Sequence, residues 1–349
     1  MPLLTTTIGA YPKPKSVKIP DWFDPGAMDS SVATRDYVQA VAKLGAEAEK
    51  VIAQGVKEVI EDQVACGIDI PTDGEVKREN YVHYHCRHLE GFDFEHLTHR
   101  VLRGGAYETD LPTVRGPVKA RAPFLPGDWK LAQSFTERPV KMTLPGPMTI
   151  TDTTADEHYG DPIALGRDLA EALNQEVLAL AEAGCRHIQI DEPLFARKPK
   201  EALDYGLENI ARCWQGVPDG VIKTMHMCCG YPNYLDQQDY AKADPRAYFD
   251  LAQAVDESVV DAISIEDAHR PNDLSLLDLF QNTTVIFGVI AIARSRVETV
   301  EEVRERLKAA LEHLPPERLV AAPDCGLGHL GRELAMKKLK VLGQAAKSV

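Results

Sequence analysis

Eight short apolar runs, most of them ending on a polar residue or a proline and followed by helical spacing, constrain this chain more than anything else in it. They lie at residues 5–9, 68–70, 140–144, 187–190, 221–225, 262–265, 284–289 and 318–322. Strands that alternate with helices predict a mainly parallel sheet with helices outside it, and eight of them suit a (β/α)8 TIM barrel. A doubly wound open sheet has the same alternation, since periodicity alone does not show closure. Val38, Val41, Leu44, Ala48, Val51, Ile52, Val56, Val59 and Ile60 fall near a 3.6 period and predict one helix over 36–65, stopped by Gly67. Similar spacing predicts helices over 163–184, 300–314 and 331–345. Residues 76–138 are irregular, aromatic and rich in Gly and Pro. They read as an insertion of loops and hairpins after the second strand, within one barrel domain over 1–349.

Length and charge narrow the function. The 349 residues suit one large barrel with an insertion, and 39 basic against 53 acidic side chains leave a net charge of −14. That balance argues against nucleic acid and against an anionic membrane as partners, because both need basic patches. No run approaches the roughly 18–20 apolar residues of a membrane span. The N-terminus shows no basic segment followed by an apolar core, so no secretory signal is visible. Seven scattered cysteines are no disulfide framework. A reducing cytoplasm is expected, with any special cysteine a metal ligand or a nucleophile.

In a barrel the C-terminal strand ends share one face, and that face carries the chemistry. Glu75, Asp191, His226, Cys228, Glu266 and Cys325 all stand at strand ends. Thiolate, imidazole and carboxylate are ligand types that Zn2+ accepts in a tetrahedral set. His226 and Cys228, two apart on an extended strand, point the same way, and Cys229 points elsewhere. With Glu266 and Cys325 they make a four-ligand candidate. Two other patterns compete. His83, His85, Cys86 and His88 look metal-like; strand-like spacing would align His83 with His85, although partly exposed loop residues are the default reading. Gly326, Gly328 and Gly331 match a dinucleotide fingerprint, but no second βαβ strand follows to supply a ribose-binding acid, so NAD is rejected and the glycines are assigned to a turn.

Zn2+ with two thiolates, one imidazole and one carboxylate carries a net charge of about −1 (two minus three). Such an ion is a poor activator of water but suits holding an incoming thiol as a nucleophile. Alkyl transfer to sulfur is the expected reaction. Glu75 and Asp191 could hold an ammonium group, so an aminothiol acceptor is expected; surface solvation or helix capping is the bland alternative for both acids.

These residues resemble the catalytic half of cobalamin-independent methionine synthase. The motifs are Thr5-Thr6-Thr7-Ile8-Gly9, Asp73-Gly74-Glu75, Gly146-Pro147-Met148-Thr149-Ile150, Ile188-Gln189-Ile190-Asp191-Glu192-Pro193, His226-Met227-Cys228, Ile263-Ser264-Ile265-Glu266 and Pro323-Asp324-Cys325-Gly326-Leu327, in the family's order. The resemblance spans nearly the whole chain. It implies a barrel with zinc at His226, Cys228, Glu266 and Cys325. It also implies L-homocysteine as acceptor, with its amino group near Glu75 and Asp191 and its carboxylate near Ile8, Gly9 and Ala10.

The departures concern the donor side. Ala10 stands where the family has a carboxylate-binding Ser, Thr153 where a Trp packs on the pterin, Arg197 where a Glu contacts folate, and Ala293 where a His donates a proton. The family's separate N-terminal barrel has no counterpart in this sequence. The methyl donor is therefore open between methylfolate and another carrier, such as methylcobalamin on a corrinoid protein. No general acid is assigned. The runner-up is another zinc thiol alkyltransferase, such as one joining coenzyme M to epoxides. Arg294 and Arg296 are candidate contacts for an anionic group of donor or acceptor, with solvated charges at a helix entry as the favoured alternative. A non-catalytic, zinc-stabilised binding partner is the third reading.

Overall fold

The structure is a computed structural model that describes residues 2–27, 31–102 and 107–349. Its strands are β1 (Leu4–Thr5), β2 (Leu89–Leu102), β3 (Tyr107–Ala120), β4 (Lys141–Pro145), β5 (Ala155–Asp156), β6 (His187–Asp191), β7 (Ile222–Met227), β8 (Ala262–Ile265), β9 (Thr284–Ile290) and β10 (Leu319–Pro323). Seven of them form one parallel ladder in the order β1-β10-β9-β8-β7-β6-β4. The gap between β1 and β4 is filled by residues 70–72, through the parallel bridges Thr6–Ile70 and Thr72–Lys141. Ile70 N–H donates to Thr5 O at 3.0 Å and Lys141 N–H donates to Pro71 O at 2.9 Å. The ring thus closes as a (β/α)8 barrel whose second position is a pair of bridges. Pro71, which has no N–H to donate, sits between those two bridges.

Alternation along the strands sorts the barrel interior from its shell. Met142, Leu144, Ile188, Ile190, Ile263 and Phe287 pack outward into the main core beneath the helices. Inside, Ile8, Ala262, Ile286, Val320 and Ala322 form a small separate apolar cluster. The interior beside β4, β6 and β7 is polar instead, with Lys141, Thr143, Gln189 and Thr224 all buried. Buried polar groups need hydrogen-bond partners, and Lys141, Thr143 and Gln189 find them in one another and in the loops above.

The helix predicted over 36–65 is two helices, α1 (Val32–Leu44) and α2 (Ala48–Ala65), joined by a 3-10 turn at Gly45–Glu47. Gly45 has φ 56°, a left-handed conformation that ends α1; the apolar spacing continues across the break and hides it. The insertion holds more regular structure than expected: α3 (Tyr81–Cys86), a β2–β3 hairpin and α4 (Leu125–Gln133). Within it, residues 103–106 lie outside the described residues. Two short helices follow strand ends, α5 (Pro147–Thr153) after β4 and α7 (Leu194–Arg197) after β6; between them α6 (Pro162–Ala183), close to the helix predicted over 163–184, is capped by Asp161 and stopped by left-handed Gly184. No helix among the described residues is long and apolar enough to cross a membrane.

Candidate functional site

One pocket opens at the C-terminal ends of the strands. Its wall includes Ile8, Gly9, Ala10, Glu75, Asp191, His226, Cys228 and Cys325, eight of the nine residues singled out from the sequence. His226, the next-to-last residue of β7, and Cys228, just past its end, meet Cys325 arriving after β10. The ligand atoms of these three all lie within 4.8 Å of one another, the one such group among the described residues. His226 Nε2 is 3.2 Å from Cys325 Sγ, and its Nδ1 is 2.9 Å from Ser264 Oγ. With Ser264 accepting from Nδ1–H, Nε2 presents its lone pair toward the two sulfurs, the arrangement that orients a metal-binding imidazole. A hydrogen bond from the Cys325 thiol, opposed by burial, holds the Cys228 thiol well below its ordinary range; the same bond pushes Cys325 well above it.

Glu266, the ninth residue, stands apart from this trio. Its Oε1 takes Lys242 Nζ at 2.7 Å and its Oε2 accepts from Cys229 N–H at 3.2 Å. Burial raises its carboxyl, opposed by Lys242. Cys229 faces away from the cluster, with its Sγ 2.9 Å from Arg270 Nη2.

The two acids that were expected to hold an ammonium group are both buried, 7% exposed each. Burial pushes Glu75 up to about 7, opposed by Arg78 and reinforced by Asp191. Burial likewise pushes Asp191 up to about 6, opposed by His226. Glu75 accepts from Thr143 Oγ1 at 2.9 Å and lies 3.4 Å from Arg78 Nη1. Its backbone is left-handed at φ 57°, an uncommon state for a residue with a side chain. Gly9 makes room for it, because a Cβ there would lie 2.7 Å from Glu75 Oε1. Asp191 Oδ1 accepts from Gln189 Nε2 at 2.7 Å. The same amide nitrogen donates to Ile8 O at 2.8 Å, and Lys141 Nζ donates to Gln189 Oε1 at 2.6 Å. Turning the amide round would set its oxygen against a carbonyl and a carboxylate, so the network fixes Asp191 and the Ile8 loop together. The carbonyls of Gly9 and Ala10 are also taken, by Thr72 Oγ1 and Leu327 N–H at 2.7 Å each. The N–H groups of Gly9 and Ala10 have no partner among the described residues.

The histidine cluster in the insertion is a set of hydrogen-bonded and stacked side chains, of which His83 also reaches the pocket wall. His83 and His85 lie on helix α3, where residues two apart diverge, so the strand-like alignment fails. His83 bonds Thr34 Oγ1 at 2.6 Å and Thr153 O at 3.2 Å, His85 bonds Tyr81 O at 2.7 Å, and His88 stacks on Phe124. His83, His85 and Cys86 are buried, against the expectation of partly exposed loop residues. Arg296 pairs with Glu302 on the surface and Arg294 bonds His269 O; neither lines the pocket.

Other pocket residues carried no advance signal. Trp22, Phe23, Tyr81 and Tyr231 form an aromatic wall, with Trp22 and Tyr231 stacked at 6.3 Å. Outside the pocket wall, Glu192 accepts from Met148 N–H, Thr149 N–H and Thr149 Oγ1 at 2.7–3.0 Å and so caps α5. His269 pairs through Nδ1 with Asp324 at 2.8 Å, and its Nε2 accepts from Ala293 N–H at 3.3 Å.

A family model described as the catalytic domain of cobalamin-independent synthase matches residues 3–348. The methionine synthase of Saccharolobus solfataricus is 32% identical over 354 residues, covering 100% of this chain and 96% of that protein. That of Pyrococcus furiosus is 30% identical over 356 residues, with 100% and 94% covered. Among solved structures, the B12-independent methionine synthase from Shewanella sp. W3-18-1 in complex with selenomethionine superposes with a TM-score of 0.86 at 29% identity, covering 100% of this chain and 98% of that one.

Proposed function

The chain belongs to the family of cobalamin-independent synthase catalytic domains, a methionine synthase-like methyltransferase, and from that premise we propose that it methylates the thiol of L-homocysteine to give L-methionine. One observation carries the reading: two buried carboxylates and a His-Cys-Cys trio line the same pocket. An ammonium group and a thiol on one small molecule match that pair of features. Coenzyme M, which carries a sulfonate and no ammonium, would meet Glu75 and Asp191 as like charges.

His226, Cys228 and Cys325 fit Zn2+ in ligand type and in mutual distance, and Glu266 at the next strand end is the proposed fourth ligand. When bound, Zn2+ lowers the pKa of a thiol that joins it, which is what a sulfur nucleophile needs at neutral pH. The rest of the site holds the acceptor. Glu75 and Asp191 pair with its ammonium, and the free N–H groups of Gly9 and Ala10 supply donors for its carboxylate in place of a serine hydroxyl. In the transfer, the acceptor sulfur loses its proton and forms a bond to the methyl carbon. The donor leaves with the electron pair of its broken bond.

Zinc-edge X-ray absorption tests the acceptor. Adding L-homocysteine to the zinc-loaded protein should add a zinc–sulfur bond, and coenzyme M should not. A response to coenzyme M alone would overturn the assignment. Turnover assays with 5-methyltetrahydrofolate and with methylcobalamin, each supplied separately, identify the donor.

A further inference from the structure

Thirty described residues line the pocket, and Arg197, at the end of α7, is the one lysine or arginine among them. Its Nε is buried without a hydrogen-bond partner. Among the described residues its guanidinium makes no ion pair or hydrogen bond. Four carboxylates share the wall with it, and each is engaged elsewhere. Asp152 takes Lys198 Nζ at 2.8 Å, and Asp110 takes His99 Nδ1 at 3.1 Å. Asp191 holds Gln189, and Glu75 holds Thr143. The pairing of Asp152 with Lys198 is telling, because Lys198 is the next residue and leaves Arg197 facing the pocket alone.

A guanidinium with a dry, unmatched N–H is costly unless something arrives to pair with it. Its planar fork suits carboxylate and phosphate, which it binds through two parallel hydrogen bonds. We infer that Arg197 is an anion subsite of this pocket, pairing in the working complex with a carboxylate or phosphate group of a bound substrate. The inference rests on the proposed function for the nature of the substrates, but the charge pattern that motivates it does not. Two sources fit: the carboxylate of the amino acid acceptor, or an anionic group on the methyl donor. The unpartnered N–H groups at Gly9 and Ala10 already offer the acceptor carboxylate a place, so the donor is the favoured source.

Isothermal titration of the zinc-loaded full chain separates the outcomes without relying on turnover. Wild type, R197M and R197K are titrated with L-homocysteine, with its decarboxylated analogue 3-aminopropanethiol, and with glutarate and inorganic phosphate as anion probes. Thermal unfolding of each variant confirms folding. If Arg197 reads the donor's anion, R197M weakens glutarate or phosphate at least about tenfold and leaves homocysteine unchanged, and R197K recovers only part of the loss. If it reads the acceptor, R197M weakens homocysteine to a similar degree and spares 3-aminopropanethiol. Unchanged affinities for all four ligands in R197M, or no anion binding by wild type beyond that of R197M together with unchanged homocysteine affinity, would overturn the inference. Failure of homocysteine to bind wild type would count against the proposed acceptor, while the anion arm still tests Arg197.

Discussion

Cys228 and Cys325 must both be deprotonated to hold zinc in the proposed site. Cys228→Ser or Cys325→Ser should therefore lower zinc occupancy and activity by at least about a hundredfold, as read by metal analysis after dialysis. Glu266→Gln should cost less, about tenfold, because the glutamate is also committed to Lys242; equal losses at all three positions would give it full ligand rank. The acids give a pH prediction. Glu75 sits near 7 and Asp191 near 6, both raised by burial, so acidification from pH 8 to 6 neutralises first one and then the other. Losing negative charge loses attraction for an ammonium ion, so homocysteine affinity should fall across that window. The decline should flatten in Glu75→Gln. These residues were legible in the sequence because each closes a strand with a chemically distinctive group. Arg78, Tyr81 and Tyr231 were not: an arginine that pairs with Glu75 and aromatics in loops look the same in sequence whether they face a pocket or solvent.

At the level of elements, the junction of β4 with α5 shows how little slack the site has. A Cβ on Gly146 would sit 2.2 Å from Glu192 Oε1, the carboxylate that caps α5. Gly146→Ala should destabilise the fold by about 2–4 kcal/mol, through a lost cap and a displaced buried acid, as measured by denaturant unfolding; a change below 0.5 kcal/mol would show that Glu192 can move aside. Strand positions and the later helices could be read from periodicity because burial imposes it. The break at Gly45 could not, since the apolar stripe runs on through it, and α3 could not, since six residues carry too few repeats to tell a period of two from one of 3.6. That last ambiguity is what made the insertion histidines look like a site.

For the whole molecule, the ring of strands joins its first member to its last, and the candidate metal trio comes from strands three places apart around it. In the proposed site a bound ion would tie the end of β7 to the end of β10, where His226 Nε2 and Cys325 Sγ lie 3.2 Å apart. Stripping zinc with a chelator should lower the midpoint of thermal unfolding by about 4–8 °C, the effect of losing a ligand held at about a thousand times its dissociation constant; no shift would place the ion outside the folded ligand set. Barrel closure itself was not legible, because alternation of strands and helices is common to open and closed sheets. What decides it is the pair of bridges at Ile70 and Thr72, where the second predicted strand joins its two neighbours.

The spacing of the trio along the chain has a consequence for its biosynthesis. His226 and Cys325 are 99 residues apart. At about 5–20 residues per second, a ribosome needs roughly 5–20 s to travel from one to the other. Throughout that interval the nascent protein carries His226 and Cys228 without their third companion, and β7 without the strands that complete the ring. A metal held by all three residues of the proposed site would therefore be captured late in the life of each molecule, after translation of β10, the last strand of the ring.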